Sequence, residues 1–176
     1  MKMKTSHVLL ALAAAFTAFA SATPAPATAM LEAMKVAAAA DSFASDIELA
    51  GGEALQRNAR VVMCQSHDGA SCANAGSWSQ GWIVFEDANG DGMRGTQEQL
   101  ILRVPALSRS LRLAGSMDSV RAFYFGTGGV QLVGAITGAA TLTICSNAGQ
   151  PTQARQLTLQ RGRLLHAQVD PAKGCV

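Results

Sequence analysis

Residues 87–98 hold the densest set of oxygen-bearing side chains in the sequence that could bind a metal ion. They follow the loop pattern of an EF-hand, D-x-[DN]-x-[DN]-G-x5-E. The candidate calcium ligands are the side chains of Asp87, Asn89, Asp91 and Glu98 and the carbonyl of Met93. Calcium prefers such oxygen ligands. The alternative is a hairpin turn in which Asp, Asn and Gly serve backbone geometry, because strands rather than helices are predicted on both sides.

Cysteines form the second group of reactive side chains: Cys64, Cys72, Cys145 and Cys175. An even number of cysteines in a chain with an export signal predicts disulfides. Three pairings are possible. We favour Cys64–Cys72, which closes a hairpin-sized loop, and Cys145–Cys175, which would fix the C-terminus. Zinc is not expected, since neither a C-x2-C nor an H-x3-H spacing occurs.

No group of residues predicts catalysis. The segment 77–81 (SWSQG) lacks the first glycine of a nucleophile elbow, and 126–129 (GTGG) lacks the spacing of a dinucleotide fingerprint. His166 has no partner in view, and Trp78 and Trp82 are more typical of a core than of a ligand platform. We therefore expect a protein that is not an enzyme and needs no cofactor, with calcium as the one candidate.

The amino-terminal segment 1–22 has the layout of a secretory signal peptide. Lys2 and Lys4 precede an apolar run, and Ala20-Ser21-Ala22 is an A-x-A cleavage pattern. We expect cleavage after Ala22, or as late as Ala29; the alternative is an uncleaved anchor in the inner membrane. Residues 23–30 are then a Pro/Ala linker and 31–176 the mature domain. Such a protein would be exported to the periplasm or a cell-surface apparatus.

Charge is unevenly distributed along the rest of the chain. Residues 23–102 carry ten acidic and four basic side chains, and residues 103–176 carry two acidic and eight basic ones. The first segment is therefore about −6 and the second about +6. This asymmetry is typical of an interaction surface. The two segments are expected either to pair within the fold or to stack head to tail between molecules.

The elements that position these groups are one helix followed by short strands. Residues 31–58 are predicted to be helical, because Phe43, Ile47, Ala50 and Ala54 recur on one helical face. After that the apolar period becomes that of strands. The predicted strands are 60–64, 82–85, 99–104, 111–113, 122–125, 130–133, 141–145, 156–160 and 163–169. A helix followed by strands, without β-α-β alternation, predicts an α+β fold in which the helix packs on antiparallel sheets.

An ordered set of segments resembles the globular part of the GspH/FimT family, the minor pseudopilins of type II secretion systems and the minor type IV pilins. The segments that carry the resemblance are 46–50 (DIELA), 53–58 (EALQRN), the strand ending at Cys64, Cys72, Trp78, 81–85 (GWIVF), 87–92 (DANGDG), Phe125 with Gly129, 142–145 (LTIC), Gly162-Arg163 and Cys175. The resemblance covers residues 41–176. It implies a pilin-like head and a non-enzymatic subunit whose partners are other pilin or pseudopilin subunits.

The resemblance also has two limits that shape the expected function. The family's prepilin N-terminus, with its Glu at the fifth mature position and its long apolar helix, has no counterpart in this sequence. Some family members bind DNA through a C-terminal G-R-x-R motif, which here matches Gly162-Arg163 without the second Arg. The resemblance thus implies Arg155, Arg161 and Arg163 as candidate DNA-binding residues. The alternative function is a soluble periplasmic or secreted module that binds calcium or DNA through a pilin-like head.

Overall fold

A computed structural model describes residues 25–133, 139–147, 154–160 and 163–169 of the chain. The chain divides into two units, Met1–Leu31 and Glu32–Val176. Of the first unit, residues 25–31 are described, and they are helical. The second unit contains the sheets, the core and the loops discussed below. Cys175, Arg161 and residues 1–24 lie outside the described residues, so the predictions made for them stay predictions.

Helix α1 runs from Ala25 to Arg57 and begins earlier than the predicted start at Leu31. Residues 25–30 of the segment predicted to be a linker, 23–30, are helical. Pro26 is compatible with this because the first turn of a helix needs no N–H donors within the helix. The end is set by Asn58, whose φ of 49° is left-handed. The N–H groups of Asn58 and Ala59 donate to the carbonyls of Leu55 and Ala54 at 3.3 and 3.2 Å, which is a Schellman cap.

Nine strands lie in the described residues. They are β1 (Val61–Gln65), β2 (Trp82–Glu86), β3 (Leu100–Val104), β4 (Leu111–Ala114), β5 (Ala122–Gly126), β6 (Gly129–Val133), β7 (Ala140–Ser146), β8 (Ala154–Gln160) and β9 (Arg163–Val169). Two short 3-10 helices, Trp78–Gln80 and Ser116–Ser119, lie between strands. Each predicted strand is present, and its ends differ from the predicted ones by at most two residues.

The strands form two antiparallel sheets, in the orders β3-β2-β1-β5-β6 and β4-β7-β8-β9. The predicted central hairpin is β2–β3, in which Trp82 lies opposite Val104. Strand β1 lies between β2 and β5, with Val62 opposite both Phe85 and Tyr124. The predicted fold class, an α+β domain with a helix packed on antiparallel sheets, is confirmed.

The core lies between α1 and the two sheets. The predicted helical face is buried in full: Phe43, Ile47, Ala50 and Ala54 are at most 4% exposed. Phe43 contacts the rings of Trp78, Trp82 and Phe123 edge to face, with centroids 5.2, 5.0 and 6.4 Å away. The same core takes in side chains of the second sheet, among them the buried Leu142, Ile144 and Leu157. One apolar helix face thus joins both sheets, which is where most of the stabilising burial is concentrated.

Polar contacts also fix α1 on the sheets. The indole N–H of Trp82 donates to Asp46 at 2.9 Å, and the hydroxyl of Ser146 on β7 donates to Glu32 at 2.9 Å. Lys35 pairs with the other oxygen of Glu32 at 2.7 Å. No helix among the described residues combines the length and the apolar character needed to cross a membrane.

Candidate functional site

The loop between β2 and β3 is organised around Asp87. Its carboxylate is 2% exposed, accepts hydrogen bonds from the N–H groups of Gly90 and Gly92 at 3.0 and 3.1 Å and pairs with Arg60 Nε at 2.9 Å. Gly92 has a φ of +75°, and a Cβ there would lie 2.3 Å from the hydroxyl of Tyr124. Only glycine combines a positive φ with the absence of a Cβ that would clash with Tyr124. The first residue of the calcium pattern therefore holds the loop backbone onto the sheet.

The other predicted calcium ligands also bond within the loop. Asp91 accepts from the Met93 N–H at 2.7 Å and from the Asn89 amide at 2.8 Å. Glu98 accepts from the N–H groups of Ala88 and Gly95 at 3.0 and 2.8 Å. These are the turn-type bonds of the alternative interpretation. Among the described residues no three His, Cys, Asp or Glu side chains are grouped to hold a metal ion. Calcium would have to replace these bonds, and its binding stays a prediction.

A second loop, residues 66–72, is closed by the Cys64–Cys72 disulfide predicted from the sequence. Asp68 organises it by accepting from the N–H groups of Ala70 and Ser71 at 2.8 and 2.9 Å and from the Ser71 hydroxyl at 2.7 Å. These donors, with the Ser71 hydroxyl first, hold the pKa of Asp68 far below its ordinary value. Its carboxylate is therefore charged over the whole physiological range. Cys145 is also disulfide-bonded, but its predicted partner lies outside the described residues.

Two arginines hold the 66–72 loop, one to the loop between β2 and β3 and one to β3 itself. Arg94, from the loop between β2 and β3, donates to the Ala70 carbonyl at 2.9 Å. Arg103, from β3, donates to the carbonyls of Gly69 and Asp68 at 2.7 and 3.0 Å. We call residues 66–72 and 87–98 together the loop surface. This arrangement could not be predicted from the sequence, because an arginine that binds a distant carbonyl has no local pattern.

Of the predicted DNA-binding residues, Arg155 and Arg163 lie in the described part of the chain, and the structure places them apart. Arg155 is exposed near the start of β8, and Arg163 lies opposite Gln160 at the far end of the same ladder. At about 3.4 Å per residue, the five steps along β8 separate their backbones by about 17 Å. Phosphate recognition needs several cations on one face. DNA binding stays a prediction.

Asp46 is a residue that the sequence analysis missed. Burial against the sheet raises the pKa of its carboxyl group above the ordinary value, and the hydrogen bond from Trp82 offsets part of that rise. The signal in the sequence was weak, because an Asp within a helix is usually solvated. The one indication was that Asp46 precedes Ile47 and so lies at the border of the buried helix face.

The opposite face of α1 is exposed along its length. Residues at the alternating spacings of four and three face away from the sheets, and all are exposed: Met34, Ala38, Asp41, Ser45, Glu48, Gly52 and Leu55. We call these seven residues the outer helix face. Met34 and Leu55 are 59% and 63% exposed, high fractions for large apolar side chains.

Comparison with known proteins places this architecture in a family. A family model described as "Type II transport protein GspH" matches residues 39–162, a range that begins within α1 and extends past the end of β8. The chain is similar in fold to the type IV minor pilin FimU of Pseudomonas aeruginosa, with 16% identity, a TM-score of 0.54 and coverage of 81% of this chain and 96% of that one. A search of curated proteins found no match.

A second solved structure gives the same result. The minor pseudopilin EpsH from the type 2 secretion system of Vibrio cholerae is 16% identical, with a TM-score of 0.51 and coverage of 79% of this chain and 99% of that one. At these identities the two structures show the shared fold alone. The family model is the finding that carries membership, since it spans the helix and strands of both sheets. The chain therefore belongs to the GspH/FimT family of minor pseudopilins and minor type IV pilins.

Proposed function

We propose that this protein is a non-enzymatic subunit that contacts other pilin-type or pseudopilin-type subunits through its folded head, at a type II secretion or type IV pilus apparatus. The observation that carries the proposal is the family match over residues 39–162. That stretch contains most of the buried face of α1 and eight of the nine described strands, so it covers most of the packing unit of the head.

The surfaces of the head agree with a role in protein contact. The loop surface is held rigid by a disulfide, two arginine bridges and carboxylates that bond its backbone. A rigid surface loses little conformational entropy on binding. The outer helix face is exposed at all seven of its residues, so it is accessible to another subunit.

Photo-crosslinking in the producing cell tests this function. A photoreactive amino acid is placed at Ser45 on the outer helix face, at Met93 on the loop surface, and at the buried Phe123 as a control that points inward. We expect Ser45 or Met93 to give cross-links to pilin-type or pseudopilin-type subunits, and Phe123 to give none. Deletion of the gene should reduce secretion or piliation. Normal secretion and piliation, together with no such cross-links, would refute the proposal.

We place the protein outside the cytoplasm, in the periplasm or at an envelope apparatus, on the strength of the predicted signal peptide and the family. Mass spectrometry of the mature N-terminus with membrane fractionation tests this. A soluble product that begins near Thr23 or Met30 would agree with cleavage. An N-methylated or membrane-held product would instead agree with a pilin-type anchor. The soluble calcium- or DNA-binding module stays the alternative, with the tests given in the Discussion.

A further inference from the structure

The loop between β2 and β3 contains a chemically labile pair of residues, Asn89-Gly90. Asn89 is the one asparagine of the chain that is followed by glycine; the other three precede alanine. Asparagine is labile because the backbone nitrogen of the next residue attacks its side-chain amide carbon. Glycine has no Cβ, so its nitrogen is the least hindered attacking group. Both residues are exposed, and exposure and sequence together therefore predict deamidation at Asn89.

The reaction uses water as its only co-reactant. The Gly90 nitrogen loses its proton and forms a bond to Cγ of Asn89. The bond between Cγ and Nδ2 breaks, and the amine takes up a proton and leaves as ammonia. Water then opens the resulting succinimide ring at either of its two carbonyl carbons. The product is aspartate or isoaspartate at position 89, which adds one negative charge to the loop at neutral pH.

The folded loop restrains the attacking nitrogen. The Gly90 N–H donates to Asp87 at 3.0 Å, and Asp87 is 2% exposed and pairs with Arg60 at 2.9 Å. Arg60 also donates to the Gly90 carbonyl at 3.0 Å, so the glycine is held on both sides. Because the attacking species is the deprotonated nitrogen, a carboxylate beside it disfavours the second negative charge. The bond to Asp87 therefore slows the first step.

The side-chain amide of Asn89 is restrained as well. Its Oδ1 accepts from the Asp91 N–H at 3.0 Å, and its Nδ2 donates to the Asp91 carboxylate at 2.8 Å. Attack makes Cγ tetrahedral, which moves both atoms out of the plane in which they are bonded. The two bonds must therefore lengthen or break before reaction. With the bond from Gly90 to Asp87, three hydrogen bonds make the open loop about a hundredfold rarer than the closed one.

Modification removes a donor that closes the loop. An aspartate at position 89 has no N–H to give to the Asp91 carboxylate, so two carboxylates would meet where an amide and a carboxylate are now bonded. Isoaspartate also lengthens the backbone by one carbon, which displaces the Gly90 N–H from Asp87. In both products the bonds that restrained the loop cannot form again.

We propose that Asn89 is a deamidation site that the folded loop holds in check, and that its conversion prevents the loop between β2 and β3 from closing again. A transient opening of this loop is thereby made permanent by a covalent change. The proposal goes beyond the proposed function and does not depend on it.

Mass spectrometry of the peptide that contains Asn89 measures the restraint in the full chain. At one mildly alkaline pH, we expect the native protein to deamidate there at least tenfold more slowly than the chain unfolded in guanidinium chloride. Asn74, exposed and followed by alanine, is the internal reference and should remain mostly intact in both. Isomerisation at Asp91-Gly92 leaves the mass unchanged, so it does not enter the measurement. Equal rates in the two states, or no deamidation of the unfolded chain, would overturn the proposal.

A pair of exposed variants separates the loop bond from a general effect of charge. Asp91→Ala removes the carboxylate that binds the Asn89 amide. Loss of one hydrogen bond should raise the native rate about fivefold and leave the unfolded rate nearly unchanged. Asp41→Ala removes the same charge from the exposed side of α1 and should change neither rate. A native rate in Asp91→Ala that is no higher than in the wild type would refute the restraint.

Asn89→Asp reproduces the aspartate product and tests whether the loop closes again. The readout is trypsin cleavage after Arg94 in the same loop, because proteases cut segments that open locally. We expect cleavage there at least threefold faster than in the wild type. Asn74→Asp adds the same charge to another exposed loop and should be cut after Arg94 at the wild-type rate. A wild-type rate in Asn89→Asp would overturn the proposed loss of closure.

Discussion

Replacing Phe43 by alanine tests the packing on which the whole head depends. Phe43 is 1% exposed, and its ring contacts Trp78, Trp82 and Phe123. Truncating a buried Phe to Ala costs about 3–5 kcal/mol of unfolding free energy, because apolar contacts are lost and a cavity is left. With three edge-to-face contacts removed as well, each contributing about 1 kcal/mol, we expect a loss near the top of that range.

Two further variants on the same helix make the test specific. Phe43→Leu keeps most of the apolar volume but loses the ring contacts, so we expect a loss of about 2 kcal/mol. Met34→Ala removes a large apolar side chain that is 59% exposed, and we expect a change within about 0.5 kcal/mol.

The assay is equilibrium urea unfolding followed by tryptophan fluorescence, since Trp78 and Trp82 are both fully buried. A small domain has about 5–15 kcal/mol of stability, so Phe43→Ala should lower the unfolding midpoint severely. If Phe43→Ala and Met34→Ala lost similar amounts, α1 would not be packed on the sheets through this face, and the reasoning would fail.

The remaining predictions concern a buried acid, a disulfide and the two binding hypotheses. Burial raises the folded pKa of Asp46, so the folded state holds the proton more tightly, and its stability falls as the pH rises from the ordinary Asp value of about 3.9. Asp46→Asn should therefore raise the urea midpoint at neutral pH and not at acid pH; equal effects at both would contradict it. Replacing Cys64 and Cys72 together by alanine should cost about 2.5 kcal/mol from loop entropy alone, measured by urea unfolding, and no loss would refute that role. If the loop surface binds calcium, a chelator lowers the melting temperature and Asp91→Ala abolishes the difference; an unchanged melting temperature in the wild type refutes calcium binding. If the protein binds DNA, a gel shift weakens with salt and with Arg163→Ala, and the absence of any shift refutes it.

Most of the helix and strands could be predicted from the sequence, because the apolar periodicities that indicate them are local. The spacing of Phe43, Ile47, Ala50 and Ala54 predicts a buried helix face whatever lies beneath it, and the change to strand periodicity follows at Val61. The start of α1 was harder to predict, because Pro26 reads as a helix breaker unless it falls in the first turn. Whether Pro26 ends a helix or lies in its first turn depends on the three-dimensional structure and not on the local sequence.

The order of strands and the role of the loop carboxylates depend on distant residues. No local pattern predicts that β1 lies between β2 and β5. Nor does one predict that β4 belongs to the second sheet, although the strands before and after it in the chain belong to the first. Asp87 fits a calcium pattern and a turn equally well by type and spacing. The structure favours the turn bonds because Arg60, 27 positions earlier in the chain, lies beside its carboxylate.

The central place of β1 has a consequence for how the protein matures. Its partner on one side, β2, follows soon after it, whereas its partner on the other side, β5, is made only when residues 122–126 have been synthesised. Contacts between such distant residues slow folding. Until β5 arrives, β1 has an open edge that can pair with the wrong strand. A chain that ends before Ala122 is therefore expected to aggregate more readily than the complete chain.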